Sequence, residues 1–245
     1  MKIVFLGTGH GVPTPQRYSS CAMIEIGDSI YFVDGGVPIV ERCILCVRDI
    51  TKARAMFTTH AHGDHTYGIY GFGDLLNWKY KETNFKFFMT EEKISSAMAV
   101  LISASARELD GERIKFEVAK SGEVYKDENI SVNYIPTAHM ASLGRPSYAV
   151  LIEGEGKRVL FSGDLSQGLK GEDFPCLAYE DIDLFVCEFA HFGFEDLKPH
   201  LSKIGAKILA IQHVYPTDKY EKIHSELSGY PFELITPCDM DEIEI

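Results

Sequence analysis

The segment Thr59-His60-Ala61-His62-Gly63-Asp64-His65 constrains this chain more than any other, because it sets three imidazoles and a carboxylate between an apolar run, Ala55–Thr58, and a helical pattern. Imidazole nitrogens and carboxylate oxygens are donors that zinc takes. A tight connection at a strand end can aim alternate residues into one cavity, and the small Gly63 lets the backbone bend there. The plain alternative is a solvated, His-rich surface loop. Three further ligand-type residues weigh against it, each just past a predicted strand: His139 after Val132–Ile135, Asp164 after Val159–Phe161, and His213 after Ile208–Ile211. Any one of these alone would more often be structural. With the first segment they make four strands that end in ligands, and a carboxylate such as Asp164 has two oxygens with which to bridge two ions.

Short β-rich runs alternate with longer helical patterns, bounded by Gly, Pro and Asp clusters. Strands are expected at Lys2–Leu6, Cys21–Ile26, Ile30–Val33, Arg54–Thr58, Phe85–Met89, Lys115–Val118, Ile130–Ile135, Ser147–Ile152, Arg158–Phe161, Asp183–Cys187 and Lys207–Ile211. Helices are expected at Pro38–Arg48, Thr66–Lys79, Glu91–Glu108, Glu195–Lys203 and Lys219–Leu227. The early strands form a meander, while the later ones are separated by helices. This order belongs to the α/β class: a four-layer αβ/βα sandwich with two mixed β-sheets face to face and helices outside. We expect a single hydrolase domain over residues 1–245, with room for two similar halves joined near Gly111 or Ser121-Gly122.

The 245 residues are 45% hydrophobic and 24% charged, which is enough apolar material for a full core. The opening apolar run is too short for a signal-peptide core, and no stretch is long enough to span a bilayer. Six cysteines scattered through mostly apolar segments suit reduced thiols, so a cytoplasmic location with no membrane partner is expected. The formal charge of −12 and the lack of any basic run weigh against a large polyanionic partner. A small anionic substrate is easier to accommodate, since two divalent ions would make a pocket locally positive. The sequence leaves a homo-oligomer open.

The set His60-x-His62-x-Asp64-His65, His139, Asp164 and His213 resembles the complete metal-ligand signature of the metallo-β-lactamase-fold hydrolase superfamily, over essentially the whole chain. The resemblance implies one metal site from His60, His62 and His139 and a second from Asp64, His65 and His213, with Asp164 between them. It implies two zinc ions, with manganese or mixed occupancy open. His62, where flavodiiron relatives carry Glu, favours zinc over iron. The opening Lys2-Ile3-Val4-Phe5-Leu6-Gly7-Thr8-Gly9-His10-Gly11-Val12-Pro13-Thr14-Pro15-Gln16-Arg17 and the stretch Phe32-Val33-Asp34-Gly35-Gly36 are similar to the ribonuclease Z branch.

Enzymes of that branch use a Glu-oriented His near the metals as proton donor to the leaving oxygen. Glu188 and His191, in Cys187-Glu188-Phe189-Ala190-His191-Phe192, match this pair, and His191 lies 22 residues before His213 as in that branch. Cys187 stands where the branch has His, and Phe192-Gly193 where it has Ser-Thr. The resemblance thus makes Asp64, Glu188 and His191 the catalytic set. Ribonuclease Z also grips transfer RNA with a Gly- and basic-rich arm between its later strands. Here the 27-residue interval from Asp164 to His191, read as a short loop or helix around Gln167–Tyr179 plus one strand, contains no such arm, so tRNA or other nucleic acid is a doubtful partner.

Other motifs carry less. Gly7, Gly9 and Gly11 make a poor dinucleotide-binding turn, since Pro13 and Pro15 block the helix that must follow. Cys43-Ile44-Leu45-Cys46 has no second ligand pair, and with Cys187 is expected to pack in or near the core. Asp34 is expected as a turn residue supporting the metal loops, and His200 and His224 as surface residues. His10 follows the first strand at the rim of the expected site, where a structural role is the simpler reading. The function expected is dinuclear-zinc hydrolysis of a small cyclic or linear phosphodiester, with the ions activating a shared water. The alternatives are hydrolysis of an ester, thioester, lactone or lactam and, from another class, a non-catalytic metal-binding or sensing protein. Iron redox chemistry is disfavoured by His62 and by the lack of a flavin domain.

Overall fold

The computed structural model describes residues 1–46, 48–105, 107–170 and 173–245. Its strands are β1 (Lys2–Gly7), β2 (Cys21–Ile26), β3 (Ser29–Val33), β4 (Ala53–Phe57), β5 (Phe85–Met89), β6 (Ile114–Val118) and β7 (Gly122–Lys126). They continue with β8 (Ser131–Pro136), β9 (Tyr148–Gly154), β10 (Lys157–Phe161), β11 (Ile182–Phe189), β12 (Ala206–Val214), β13 (Glu233–Ile235) and β14 (Glu242–Glu244). The helices are α1 (Ile39–Leu45), α2 (Gly63–Trp78), α3 (Glu92–Ser105), α4 (Phe194–Leu201) and α5 (Tyr220–Leu227). The chain divides into two compact units, Met1–Lys120 with Cys238–Glu244, and Ser121–Pro237 with Ile245. The first boundary falls at Ser121, one of the two places at which the sequence allows a junction, and not at Gly111.

The first unit holds a mixed sheet in the order β14-β1-β2-β3-β4-β5-β6. β14, β1, β2 and β3 pair antiparallel, whereas β3 to β6 run parallel and need crossovers, which α1, α2 and α3 supply. One face of this sheet packs on the helices through Phe32, Met56, Phe85 and Phe87 against Ile39, Ile69, Phe72 and Leu76. Phe72 sits edge-on to Phe32 and Phe85, with ring centroids 5.2 and 5.5 Å away. Each such buried side chain stabilises the unit by roughly 1.5–3 kcal/mol. The alternate residues Ile3, Phe5, Tyr31 and Phe57 are fully buried too, so the strands read as near-continuous apolar runs.

The second unit repeats the plan in the order β13-β12-β11-β10-β9-β8-β7, with β7 to β10 antiparallel and β10 to β13 parallel. Its helix-side core joins Leu160, Phe185, Cys187 and Leu209 to Leu197, Leu201, Ile223 and Leu227 of α4 and α5. β8 is antiparallel to β9, and β9 to β10, so β8 runs in the same direction as β10, β11 and β12. The C-terminal ends of these four strands therefore share one edge of the sheet. The same logic brings the C-terminal ends of β1, β3 and β4 to one edge of the first sheet.

Both sheets are mixed and both carry helices, as the α/β reading requires. Three edge strands escaped it: β7 is largely exposed and charged, and β13 and β14 have three residues each. Such segments carry too little periodicity to register, and partners in the sheet make them strands. The expected helices Pro38–Arg48 and Glu91–Glu108 are shorter, and Val47 and Ala106 within them lie outside the described residues, as do Gly171 and Glu172 in the expected Gln167–Tyr179 segment. That segment forms short 3-10 turns at Gln167–Leu169 and Cys176–Tyr179. No helix among the described residues is long and apolar enough to cross a membrane. All six cysteines are free thiols; Cys43, Cys46 and Cys187 are buried as expected, and burial pushes the Cys187 thiol well up.

Candidate metal-binding and catalytic residues

In the first unit β4 ends at Phe57, and α2 begins at Gly63 with His62 as its N-cap. The helix thus starts three residues earlier than expected and absorbs Asp64 and His65 into its first turn. Asp64 gains there from the positive end of the helix dipole. The ligand atoms of His60 and His62 lie within 4.8 Å of one another, as do those of Asp64 and His65. His60 and His65 are buried, with ring centroids 4.1 Å apart.

Asp34 organises this cluster. It follows β3 with φ of +60°, a left-handed conformation that Asp tolerates better than most residues, and its carboxylate turns onto the next strand end. Oδ1 accepts from the Thr59 N–H at 2.7 Å, and Oδ2 lies 2.7 Å from His65 Nδ1. A carboxylate on Nδ1 fixes the tautomer and leaves Nε2 as the donor toward a metal. Gly35 donates to the His65 carbonyl, and a Cβ on Gly36 would lie 2.6 Å from the Asp64 carbonyl oxygen, so only glycine lets this strand end approach α2 so closely. His10 is buried and its Nδ1 accepts from Val12, while a Cβ on Gly11 would lie 3.4 Å from Asp64 Oδ2. The His10 turn therefore lies against Asp64.

In the second unit the ligand-type residues come from separate strand ends. His139 follows β8, Asp164 follows β10, and His213 is the next-to-last residue of β12. Glu188 and His213 sit inside their strands rather than past them, because the β11–β12 ladder continues to Phe189 and Val214. That ladder pairs Glu188 with Gln212 and Phe189 with Val214, leaving His213 as the extra residue of a bulge at φ +52°. Bulges of this kind re-aim a side chain, and they recur next to active sites.

The bulge directs His213 at Asp164. His213 Nε2 is 3.4 Å from Asp164 Oδ1, and His139 Nε2 is 3.7 Å from Asp164 Oδ2. One buried carboxylate thus presents a different oxygen to each of two imidazoles. His139 Nδ1 lies 3.1 Å from the Leu165 carbonyl, which can only accept, so Nδ1 carries the proton and Nε2 presents its lone pair. Burial pushes the His139 pKa down, partly offset by Asp164, and so favours the neutral imidazole that ligates metals. This donor set of neutral imidazoles and carboxylate suits a divalent transition metal.

His191 stands beside these ligands. Its Nδ1 is 2.9 Å from Glu188 Oε1, and its ring lies 4.6 Å from that of His139. Glu188 accepts from the N–H groups of Leu165, Ala190 and His191, at 2.8, 2.6 and 3.1 Å. With its oxygens engaged by donors, it takes the proton of His191 Nδ1 as a further donor and fixes the ring. Lys219 Nζ donates to the carbonyls of Phe189 and Phe192, which flank His191, at 3.0 and 2.7 Å. Burial lowers the Lys219 pKa, an effect Glu188 partly offsets.

Sequence reasoning missed Thr59, Lys219 and the Leu165 carbonyl as supports. Thr59 was legible as the neighbour of His60, whereas the others act across long sequence gaps. His200 is half-buried rather than fully at the surface: its ring stacks on Phe174 at 4.4 Å and its Nδ1 meets the Tyr179 hydroxyl. His224 is exposed, as expected.

This fold, with ligand-type residues at the C-terminal ends of its strands, is that of the metallo-β-lactamase-fold, metal-dependent hydrolase superfamily in its ribonuclease Z-like branch. The chain belongs to the Anti-Pycsar protein Apyc1 family, whose profile matches residues 1–228 and so includes every ligand-type residue above. It is 28% identical over 156 residues to Ribonuclease Z of Methanocaldococcus jannaschii, a match covering 62% of this chain and 47% of that protein. The chain therefore spans about half the length of the curated relatives it matches. The short form of human tRNase Z has the same fold, with a TM-score of 0.77 at 17% identity over 100% of this chain and 99% of that one. A diphosphatase of the PhnP family gives 0.72 at 13% identity, covering 100% of this chain and 97% of that one.

Proposed function

We propose that this chain hydrolyses a small phosphodiester, working as one hydrolase domain with a dinuclear zinc centre. The ligands are His60, His62, Asp64, His65, His139, Asp164 and His213. Asp164, with two carboxylate oxygens, would help to hold both ions, and manganese or mixed occupancy would also suit these donors. Zinc ions held there would supply Lewis acidity toward the substrate oxygens and lower the pKa of a nearby water. Glu188 holds the proton on His191 Nδ1, and His191 Nε2 delivers a second proton to the departing alkoxide. The observation that carries this reading is the Glu188–His191 dyad, held at 2.9 Å beside the Asp164 carboxylate.

A carbonyl substrate such as a β-lactam leaves through nitrogen or a stabilised anion, whereas an alkyl phosphodiester leaves as an alkoxide that needs a positioned acid. The names of the similar proteins, a ribonuclease and a diphosphatase, support phosphorus as the attacked atom. The charge of −12 supports a small substrate over tRNA or another nucleic acid, and with the free thiols suits a cytoplasmic protein. The test is a panel assay of zinc- and manganese-loaded protein on aryl phosphodiesters, cyclic nucleotides, a precursor tRNA, lactones, thioesters and a β-lactam. Turnover confined to the small phosphodiesters is expected. Turnover of the carbonyl compounds alone, or of none, overturns the proposal.

A further inference from the structure

Asp173 has no place among the ligands or the acid–base pair, yet its two carboxylate oxygens reach the loops that carry two of the ligands. Oδ1 accepts from the Ala138 N–H at 2.6 Å, and Oδ2 accepts from the Ser166 N–H at 2.6 Å. Ala138 directly precedes His139. Ser166 directly follows Leu165, whose carbonyl faces His139 Nδ1, and Leu165 follows Asp164. The contacts close a ring: Asp173, Ala138, His139, Leu165, Ser166 and back to Asp173. Thr137 closes the same two loops a second time, its hydroxyl lying 3.3 Å from the Asp164 carbonyl oxygen.

An aspartate in a connection ordinarily accepts from the backbone two or three residues on, which builds a local turn. The partners of Asp173 are 7 and 35 residues away, so this carboxylate ties distant segments together. Charged acceptors make the shorter and stronger hydrogen bonds, and both of these are short. We propose that Asp173 is a positioning residue for the metal centre: its carboxylate clamps the His139 and Asp164 loops in register, fixing the aim of His139 Nε2 at Asp164. The inference rests on the metal-binding function proposed above.

The test uses the full chain and two readouts. Cobalt titration, followed by visible absorption, measures affinity and coordination geometry, and amide hydrogen exchange of the metal-free protein measures the clamp itself. Asp173→Ala is expected to bind cobalt about 10–100-fold more weakly, the usual worth of a residue that orients ligands, with an altered absorption band. Asp173→Asn, which turns a donor toward one of the two N–H groups, should lose nearly as much. Asp173→Glu, which keeps the carboxylate, should recover part of it. Exchange at Ala138 and Ser166 should quicken in the Ala variant. Asp183→Asn breaks polar contacts elsewhere in the same unit, and should leave cobalt affinity unchanged. Wild-type cobalt affinity and band shape in a folded Asp173→Ala protein overturn the inference. Absence of cobalt binding by wild type defeats the metal-centre reading instead. The clamp is then judged by exchange alone, and unchanged protection of Ala138 and Ser166 overturns it.

Discussion

The two units assemble ligand-type residues by opposite routes. In the first, His60, His62, Asp64 and His65 come from one strand-to-helix connection braced by one carboxylate, Asp34. In the second, His139, Asp164 and His213 come from three strand ends, braced by Glu188 and Asp173 across the gaps between them. A contiguous cluster needs only a local turn to form. A dispersed one exists only when β8, β10, β11 and β12 are in register, so its geometry depends on the whole sheet. The difference predicts that the second unit is the more sensitive to single changes in its supports.

The largest effect is expected at Asp164, which faces His139 and His213 with separate oxygens. Wild type should hold about two ions per chain. Asp164→Ala should lose more metal by elemental analysis than any single His→Ala variant, and more than about 10⁴-fold in turnover, beyond the loss of a general acid. Equal metal retention in Asp164→Ala and wild type would remove the asymmetry between the units.

Next comes His191→Ala, which should keep both metals while turnover falls on the order of 10²–10⁴-fold. The loss should be steep for an alkyl diester and slight for a p-nitrophenyl diester, whose leaving group departs without a proton. If metal is lost instead, His191 belongs with the ligands.

The braces make the comparison sharper. Asp34→Ala should weaken cobalt binding about 10–100-fold through His65, since it removes the partner of Nδ1. The contiguous cluster keeps Thr59, whose hydroxyl lies 3.1 Å from His60 Nδ1, as a second anchor, so the loss should fall at the lower end of that range and below that of Asp173→Ala. The reverse order would mean that local sequence does not protect a cluster.

Two smaller effects concern the scaffolds. A Cβ at Gly68 would lie 2.6 Å from Ile39 Cγ2 and 2.7 Å from the Gly36 carbonyl oxygen, so Gly68→Ala should cost about 1–3 kcal/mol of overpacking in the first unit, read by thermal denaturation. In the second unit, Asp183 feels burial, which raises its pKa. Lys207 and the Arg158 N–H outweigh this and hold it below the ordinary carboxylate value. A depressed folded-state pKa adds stability above the unfolded value of about 3.9 and loses it as pH falls through the folded value. The stability gap between wild type and Asp183→Asn should therefore be full at neutral pH and close in acid, as followed by denaturant melts across pH 2–6.

How much of this was legible depended on distance along the chain. β2 and β5 were readable to the residue, because apolar runs bounded by turn residues need no partner to be recognised. β7, β13 and β14 were not, since a short or polar segment becomes a strand only when a sheet edge accepts it. The ligand-type residues were legible as residue types placed at strand ends, but the bulge that aims His213 was invisible, because it arises from a mismatch between two strands.

The sequence by itself determined the chemistry on offer: imidazoles and carboxylates at strand ends, a glutamate and a histidine three residues apart, and a family signature spread along the whole chain. Those are properties of side-chain identity and local spacing. Only the tertiary structure decided which oxygen of Asp164 faces which histidine, that Glu188 fixes His191 while bracing Leu165, and that Asp173 ties His139 to the Asp164 loop. Each of these is a hydrogen bond or close approach between segments distant in the chain. Such contacts come into being when sheet register and direction bring strand ends to a common edge, and no local pattern of residues encodes them alone.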